Sequence, residues 1–137
     1  GLLPKTYPIY LRKDSMNDPG SDVGVDLSGG YYDAGDNVKF NFPMAGSMTL
    51  IAWGGYEFAE GIKKAGQWDH YLDTVKWGTD YFIKCHTKKD EYYAQVGNCQ
   101  IDHGFWYPPE YMTYKYQHIR YLHLLLDQKL LKKLLLH

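Results

Sequence analysis

The sequence has only two cysteines among its 137 residues, and it contains no apolar run long enough to span a membrane. It also lacks an excess of charge, because 15 Lys and Arg stand against 16 Asp and Glu. Binding to phosphate backbones needs a basic surface, so we expect no nucleic acid partner and, without a long apolar run, no membrane partner. Cys85 and Cys99 could form one disulfide, but we expect two free thiols.

Aromatic residues, in contrast, are abundant. They make up 17% of the chain, with 14 Tyr and 4 Trp. Surplus Tyr and Trp often line sites for flat, partly apolar ligands, sugars included. The length is typical of one domain, so a second independently folding domain is not expected.

Residues 114–137 differ in composition from the rest of the chain. Residues 1–113 contain 10 basic and 15 acidic residues, whereas residues 114–137 contain 5 and 1. Nine Leu lie in 117–137, which has no Gly, Pro, Ser, Thr, Ala or Val. Taken as written, this segment is a basic amphipathic helix suited to a membrane surface or a calmodulin-like partner.

Apolar spacing predicts two helices after an irregular N-terminal segment. Steps of three and four predict helices over 44–64 and 69–87, and residues 20–43 should cross the end of the helix pair without forming a sheet. The first apolar stripe consists of Met44, Met48, Ile51, Gly55, Phe58 and Ile62. The second consists of Leu72, Val75, Thr79, Phe82 and His86, with Trp77, Tyr81 and Cys85 in a further row. Residues 91–96 predict a short strand. Helix follows helix without a βαβ rhythm, so the predicted class is all-α with long ordered loops and that one strand.

The strongest local feature is the run Asp33-Ala34-Gly35-Asp36. Two carboxylates three residues apart converge if the turn between them is tight, and Ala-Gly permits such a turn. Like charges held close raise one pKa, so the pair could share a proton or hold a polarised water. On its own, however, Asp and Gly in a loop are more typical of turn chemistry.

A second loop places His103 close to Trp106, which offers a polar donor beside an aromatic platform. A metal site would need partners at ligand spacing, and none is evident, so we expect no metal and no cofactor. Asp18, Asp22 and Asp26 recur every four residues but do not fit the alternating ligands of an EF-hand. We interpret them as turn and cap residues.

Four segments in unbroken order resemble glycoside hydrolase family 9, whose members are cellulases, mostly endo-β-1,4-glucanases. They are DVGVDLSGGYYDAGDNVKFNFPMA, WGTDYFIKCHT at 77–87, QVGN at 95–98 and DHGFWYPPE at 102–110. The resemblance implies part of an (α/α)6 barrel and hydrolysis of β-1,4-glucosidic bonds in cellulose or another β-1,4-glucan. It also implies a secreted parent enzyme, because cellulose lies outside the cell.

The resemblance implies an inverting mechanism with Asp36 as the general base and Asp33 holding the same water. His103 and Trp106 match positions that contact glucosyl units beside the cleavage point. Asn37 departs from the family pattern, since a His is common there. The family's general acid is a Glu near the far C-terminus of a longer domain, and no residue here corresponds to it. We therefore expect an inactive N-terminal fragment.

The resemblance also changes the interpretation of the tail. One permissible set of codons from Gln117 onward, read two nucleotides along, gives TYKVSSSSPGSEVAEETAAA. That string is similar to what family members carry after a Pro-Glu-x-Met-Thr segment, here residues 109–113. We therefore expect 1–113 to be the N-terminal part of a family 9 catalytic domain and 114–137 to be an aberrant, frameshifted tail.

Two alternatives stay open. A non-catalytic glucan-binding or interaction protein would use the aromatic loops for binding, with the tail as a real helix. A different (α/α)-barrel enzyme would act on another polysaccharide. Binding of cellulose without release of reducing sugar would favour the first, and a substrate screen would identify the second.

Overall fold

The computed structural model describes residues 19–105 and 108–111, so Trp106 and the tail 114–137 lie outside the described residues. The elements are β1 (Lys39–Phe40), α1 (Asn41–Lys64), α2 (Trp68–Cys85), β2 (Gln95–Val96) and α3 (Cys99–Asp102), with 3₁₀ turns at Ser21–Val23 and Pro109–Tyr111. Two long helices dominate, which confirms the all-α class. None of the helices in the described ranges has the length and apolarity that a membrane crossing requires.

Both long helices form where the apolar spacing predicts them, with shifted ends. The helix α1 begins at Asn41 rather than after Pro43, because a proline in the first helical turn lacks only an N–H that needs no partner there. The end of α1 at Lys64 agrees with the predicted range, and Gly66 follows it with φ +68° and donates to the carbonyl of Lys63. The helix α2 ends at Cys85, since His86 has left the helical region.

The two helices pack through glycines that admit a large side chain from the opposite helix. A Cβ on Gly55 would lie 2.0 Å from the Tyr71 ring, and one on Gly78 would lie 2.8 Å from Met48. The Tyr71 hydroxyl passes over Gly55 and donates to the carbonyl of Ala52 at 3.0 Å. The absence of a side chain at these two positions therefore sets how closely α1 approaches α2.

The core lies between the helices and the loops that cross their ends. It consists of Leu27, Met44, Met48, Tyr81, Cys85, Tyr93 and Val96. The predicted stripes are partly wrong, because Phe58 is 69% exposed and Leu72 is 46% exposed. Phe58 has non-helical backbone angles that kink α1. Within 19–105, α1 packs mainly on α2, whereas α2 packs both on α1 and, through Tyr81 and Cys85, on the loops beside it.

A two-residue antiparallel pairing, Lys39 with Val96 and Phe40 with Gln95, joins β1 to β2. The expectation that residues 20–43 form no sheet is wrong at these two positions. The strand predicted over 91–96 is confirmed only at its end, with an isolated bridge from Lys88 to Glu91 before it. Small as it is, this pairing fixes the register between the segment after Asp36 and the segment before α3. Both cysteines are free thiols, as expected.

Candidate active site

The Asp33-Ala34-Gly35-Asp36 run forms a closed turn. The backbone N–H of Asp36 donates to the carbonyl of Asp33 at 2.8 Å, and the N–H of Asp33 donates to the carbonyl of Val38 at 3.1 Å. Ala34 has φ +45°, a left-handed conformation that costs about 1–2 kcal/mol for a residue with a Cβ. Asp33 is exposed and Asp36 is partly buried. The turn therefore presents two carboxylates three residues apart at the surface, with backbone strain between them.

The short helix α3 delivers the second group of polar side chains. Its N-cap is Asn98, whose side-chain oxygen accepts from the backbone N–H of Gln100 at 3.0 Å and of Ile101 at 3.3 Å. Asn98 follows β2 by two residues, so the pairing of β2 with β1 places α3 next to the turn between Asp33 and Asp36. Asp102 and His103 at the end of α3 are thereby brought to Asp36.

The imidazole of His103 contacts the carboxylate of Asp36. Nε2 of His103 lies 2.9 Å from Oδ2 of Asp36, across 67 residues of sequence. This hydrogen bond raises the pKa of His103 from its ordinary value; desolvation opposes it, and the negative charges of Asp36 and Asp102 add to the rise. The imidazole is well exposed, so its free face points toward solvent. Trp106, the other half of the predicted pair, lies outside the described residues.

The carboxylate of Asp102 is buried and holds Asn37, the residue after Asp36. One oxygen accepts from the backbone N–H of Asn37 at 2.9 Å, and the other accepts from its side-chain Nδ2 at 3.0 Å. Sequence reasoning assigned neither residue a role. What could have drawn attention to them is their position next to predicted site residues, because Asn37 follows Asp36 and Asp102 precedes His103.

One set of possible metal-ligand atoms comes together in the described ranges. It consists of single atoms of Asp36, Asp102 and His103, all within 4.8 Å of one another, and the sequence spacing did not reveal it. Asp36 is bonded to His103, and Asp102 is bonded to Asn37. We interpret the set as a hydrogen-bonded network, because these protein partners account for its geometry.

The loop that leads into the turn is fastened to α2. The hydroxyl of Tyr31 donates to the carbonyl of Thr74 at 3.1 Å, and the indole N–H of Trp77 donates to the carbonyl of Gly30 at 2.9 Å. At the other end of this loop, hydrogen bonds from Ser28 and Lys84 lower the pKa of Asp26 to about 2. The backbone N–H of Ser28 donates to Oδ1 of Asp26 at 2.9 Å, as expected of a turn residue, and Asp26 also forms an ion pair with Lys84 of α2.

A buried lysine holds the same loop from the side of β1. Nζ of Lys39 donates to the carbonyls of Leu27 at 2.8 Å and Gly29 at 2.7 Å. It also lies 5.2 Å from the ring centroid of Tyr32 and 4.7 Å from that of Tyr81. Burial lowers the pKa of Lys39 to about 8, so the ammonium form still predominates at neutral pH.

An open cavity of about 220 Å³ lies beside Asp33, between the loop and α1. Its lining consists of Tyr31, Tyr32, Asp33, Phe40, Pro43, Met44, Ser47, Met48, Ile51 and Thr74. Aromatic and apolar walls with one carboxylate suit a ligand that has apolar faces and polar edges.

Comparison with known proteins gives concordant results. A model of the family described as Glycosyl hydrolase family 9 matches residues 1–129. Endoglucanase B of Cellulomonas fimi is 50% identical over 113 residues, which is 82% of this chain and 11% of that protein. An endoglucanase structure from the termite Nasutitermes takasagoensis superposes with a TM-score of 0.80 at 48% identity, covering 88% of this chain and 28% of that one. The cellulase Cel9M of C. cellulolyticum in complex with cellobiose gives a TM-score of 0.75 at 40% identity, covering 82% and 26%. The chain thus spans between 11% and 28% of the length of these proteins.

Proposed function

The chain belongs to glycosyl hydrolase family 9, and we propose that its described residues form the base side of an active site that cleaves β-1,4-glucans. In this proposal Asp36 is the general base, Asp33 helps to hold the attacking water, and His103 binds a sugar hydroxyl. Trp106 supplies an aromatic face for a glucosyl unit.

One contact carries the proposal: Nε2 of His103 lies 2.9 Å from Oδ2 of Asp36. It joins two segments that both resemble family 9 motifs and that are distant in sequence. A structural ion pair would serve stability alone, but this one is exposed on the His103 side and stands beside a strained turn with a second carboxylate. Exposed pairs contribute little to stability, so we interpret the arrangement as functional.

The proposed reaction is inverting hydrolysis. Asp36 takes a proton from a water held between the two carboxylates, the water oxygen bonds to the anomeric carbon, and the bond from that carbon to the leaving oxygen breaks. A separate carboxylic acid gives its proton to the leaving oxygen. In such an enzyme the general base and the general acid stand roughly 6.5–9.5 Å apart, which leaves room for the water.

We infer that the acid is not supplied by the turn or by α3. The carboxylates near His103 are Asp36, which is the base, and Asp102, which is buried on Asn37. In this proposal Asp33 and Asp36 both serve the water and Asp102 is engaged with Asn37, so none of these carboxylates is assigned to the leaving oxygen. The 137-residue chain is therefore expected to bind β-1,4-glucan weakly and not to hydrolyse it.

A chimera tests the proposed roles. Residues 1–113 would replace the matched segment of the Cellulomonas fimi endoglucanase B, and turnover of carboxymethylcellulose would be measured. Asp36→Asn should abolish turnover with little change in binding of cello-oligosaccharides, because a base acts only in the transition state. Trp106→Ala should weaken binding together with the rate. Near-normal kcat in the Asp36→Asn chimera would refute the assignment of the base.

The 137-residue chain gives the complementary test. Release of reducing ends from carboxymethylcellulose should equal that of its Asp36→Asn variant. Activity clearly above that control would mean that a residue of this chain supplies the acid. Cellulose binding by the 137-residue chain, together with an active chimera that is insensitive to Asp36→Asn, would favour a purely glucan-binding role for this segment.

We also propose that residues 1–113 are the part of the chain that belongs to the catalytic domain and that 114–137 are frameshifted. The support for this boundary is the change in composition after residue 113, whereas the family model extends to residue 129. Sequencing the encoding DNA through codons 110–137 tests it, since an unshifted Leu-rich frame would refute it.

A polymeric glucan substrate further leads us to propose that the parent protein is secreted.

A further inference from the structure

Asp102 and Asn37 have no part in the proposed chemistry, yet they join the two halves of the site. The Asp102 side chain is buried, with the residue only 4% exposed, and its two oxygens accept the backbone N–H and the side-chain amide of Asn37. Hydrogen bonds to a charged acceptor are stronger than those between neutral groups. Such a pair is strong enough to hold a loop in one conformation.

The backbone bond acts directly on the residue before Asn37. The N–H that Asp102 accepts belongs to the peptide joining Asp36 to Asn37, at a distance of 2.9 Å. Fixing that peptide restricts the backbone of Asp36 and therefore the direction of its side chain. Free rotation here would let the carboxylate of Asp36 swing into solvent, since only part of it is buried.

The same helix end also holds the Asp36 side chain. His103, the residue after Asp102, lies 2.9 Å from Oδ2 of Asp36. The end of α3 thus holds both the backbone on the C-terminal side of Asp36 and the carboxylate itself. Neither contact alone fixes the carboxylate, because one leaves the side chain free and the other leaves the backbone free.

We propose that Asp102 is a positioning residue, which acts through Asn37 to fix the carboxylate of Asp36 against His103. The inference rests on the proposed role of Asp36 as the base. It adds a residue that touches neither water nor sugar but determines where the base stands.

The test is an NMR titration of the His103 imidazole in the 137-residue chain and its variants. Asp36→Asn removes the partner and gives the titration midpoint of an unpaired His103. Asn37→Ala removes one of the two hydrogen bonds to Asp102 without changing any charge. Because the backbone N–H of residue 37 still donates, it should move the midpoint part of the way from the wild-type value toward the Asp36→Asn value. Asp73→Asn, which removes an exposed carboxylate on α2, is the matched control and should leave the midpoint unchanged.

Asp102→Asn is the second variant and should move the midpoint in the same direction. Asp102→Asn also removes a negative charge near His103, which would lower the midpoint by itself. The proposal is therefore judged on Asn37→Ala, which changes no charge. A wild-type or raised midpoint in folded Asn37→Ala would overturn the proposal, with folding checked by far-ultraviolet circular dichroism. If Asn37→Ala does not fold, a wild-type midpoint in Asp102→Asn would overturn it instead. The titration does not depend on hydrolysis, whereas the base role is tested by turnover in the chimera, so the two ideas can fail separately.

Discussion

Asn41 is the buried polar residue whose substitution gives the sharpest test of how the segments are held together. It is the first residue of α1 and only 3% exposed. Its side-chain Nδ2 donates to the carbonyl of Tyr93, and its Oδ1 accepts from the hydroxyl of Tyr81 at 2.7 Å. Asn41→Asp keeps the shape and the acceptor for Tyr81 but turns a carboxylate oxygen toward the Tyr93 carbonyl.

The cost follows from these two contacts. A buried carbonyl left without a donor costs about 1–3 kcal/mol, and a carboxylate taken out of water costs several more unless it is paired. The Tyr81 hydroxyl offsets part of this, and the Tyr92 hydroxyl and the Cys85 thiol, each 3.3 Å from Nδ2 of Asn41, can turn to donate to the new oxygen. We expect Asn41→Asp to lower the free energy of unfolding by about 3 kcal/mol at pH 7, a large share of the stability of a typical domain.

The loss should depend on pH in a defined direction. Burial and the facing carbonyl raise the folded-state pKa of the introduced carboxyl above its unfolded value, so the folded variant binds a proton more tightly. Its stability deficit should therefore be smallest below about pH 4, the unfolded pKa, and grow as pH rises through the higher folded value. The protonated carboxyl can also donate to Tyr93, which restores the lost bond.

Urea unfolding followed by Trp fluorescence, at pH 7 and pH 4.5, measures both effects. The matched control is Asn98→Asp, because within residues 19–105 and 108–111 the Asn98 side chain bonds through its oxygen alone, which accepts from two backbone N–H groups. That control should stay within about 0.5 kcal/mol of wild type. A deficit below about 1 kcal/mol for Asn41→Asp, or one that does not change with pH, would refute the reasoning.

Three further predictions concern the packing, the buried lysine and the strained turn. Gly55→Ala should lower the free energy of unfolding by about 1–3 kcal/mol, because its Cβ would meet the Tyr71 ring. Its control is Gly54→Ala, whose Cβ would have nothing within 4 Å and which should raise the free energy of unfolding by up to about 1 kcal/mol. Equal urea midpoints for the two variants would contradict this. Lys39→Met should cost about 2 kcal/mol at pH 7, since two backbone carbonyls lose their donor. The folded-state pKa of Lys39 is lowered to about 8, so the folded protein binds fewer protons than the unfolded chain between there and 10.5. Wild type should therefore gain stability over Lys39→Met as pH rises from 8 to 10.5, and a constant difference would be evidence against it. Ala34→Gly should raise the free energy of unfolding by up to about 1 kcal/mol by relieving φ +45°; a decrease in the urea midpoint would count against strain at this turn.

The helices and the closed turn could be predicted from sequence because both are local. The steps of three and four residues specify α1 and α2, and Gly66 marks the end of α1. The Asp33-Ala34-Gly35-Asp36 run specifies a tight turn, since its hydrogen bonds join residues at most five positions apart. The exposure of individual apolar residues could not be predicted in the same way. Periodicity identifies the apolar face of a helix but not the element that covers that face. Phe58 illustrates this, as a kink and an uncovered face leave it 69% exposed.

The sequence by itself determined that the chain forms two helices and a turn with two carboxylates. Its likeness to family 9 also identified Asp33, Asp36 and His103 as candidate site residues. Only the tertiary structure decided that His103 reaches Asp36 and that Asp102 holds Asn37, because these contacts cross 67 and 65 residues. Their geometry depends on the two-residue register between β1 and β2 and on the start of α3, and a shift of one residue would turn the side chains to the other face. Short-range pattern carries no information on such a register, since many pairings of two short strands satisfy the same spacing, and the packing of the whole core selects one of them.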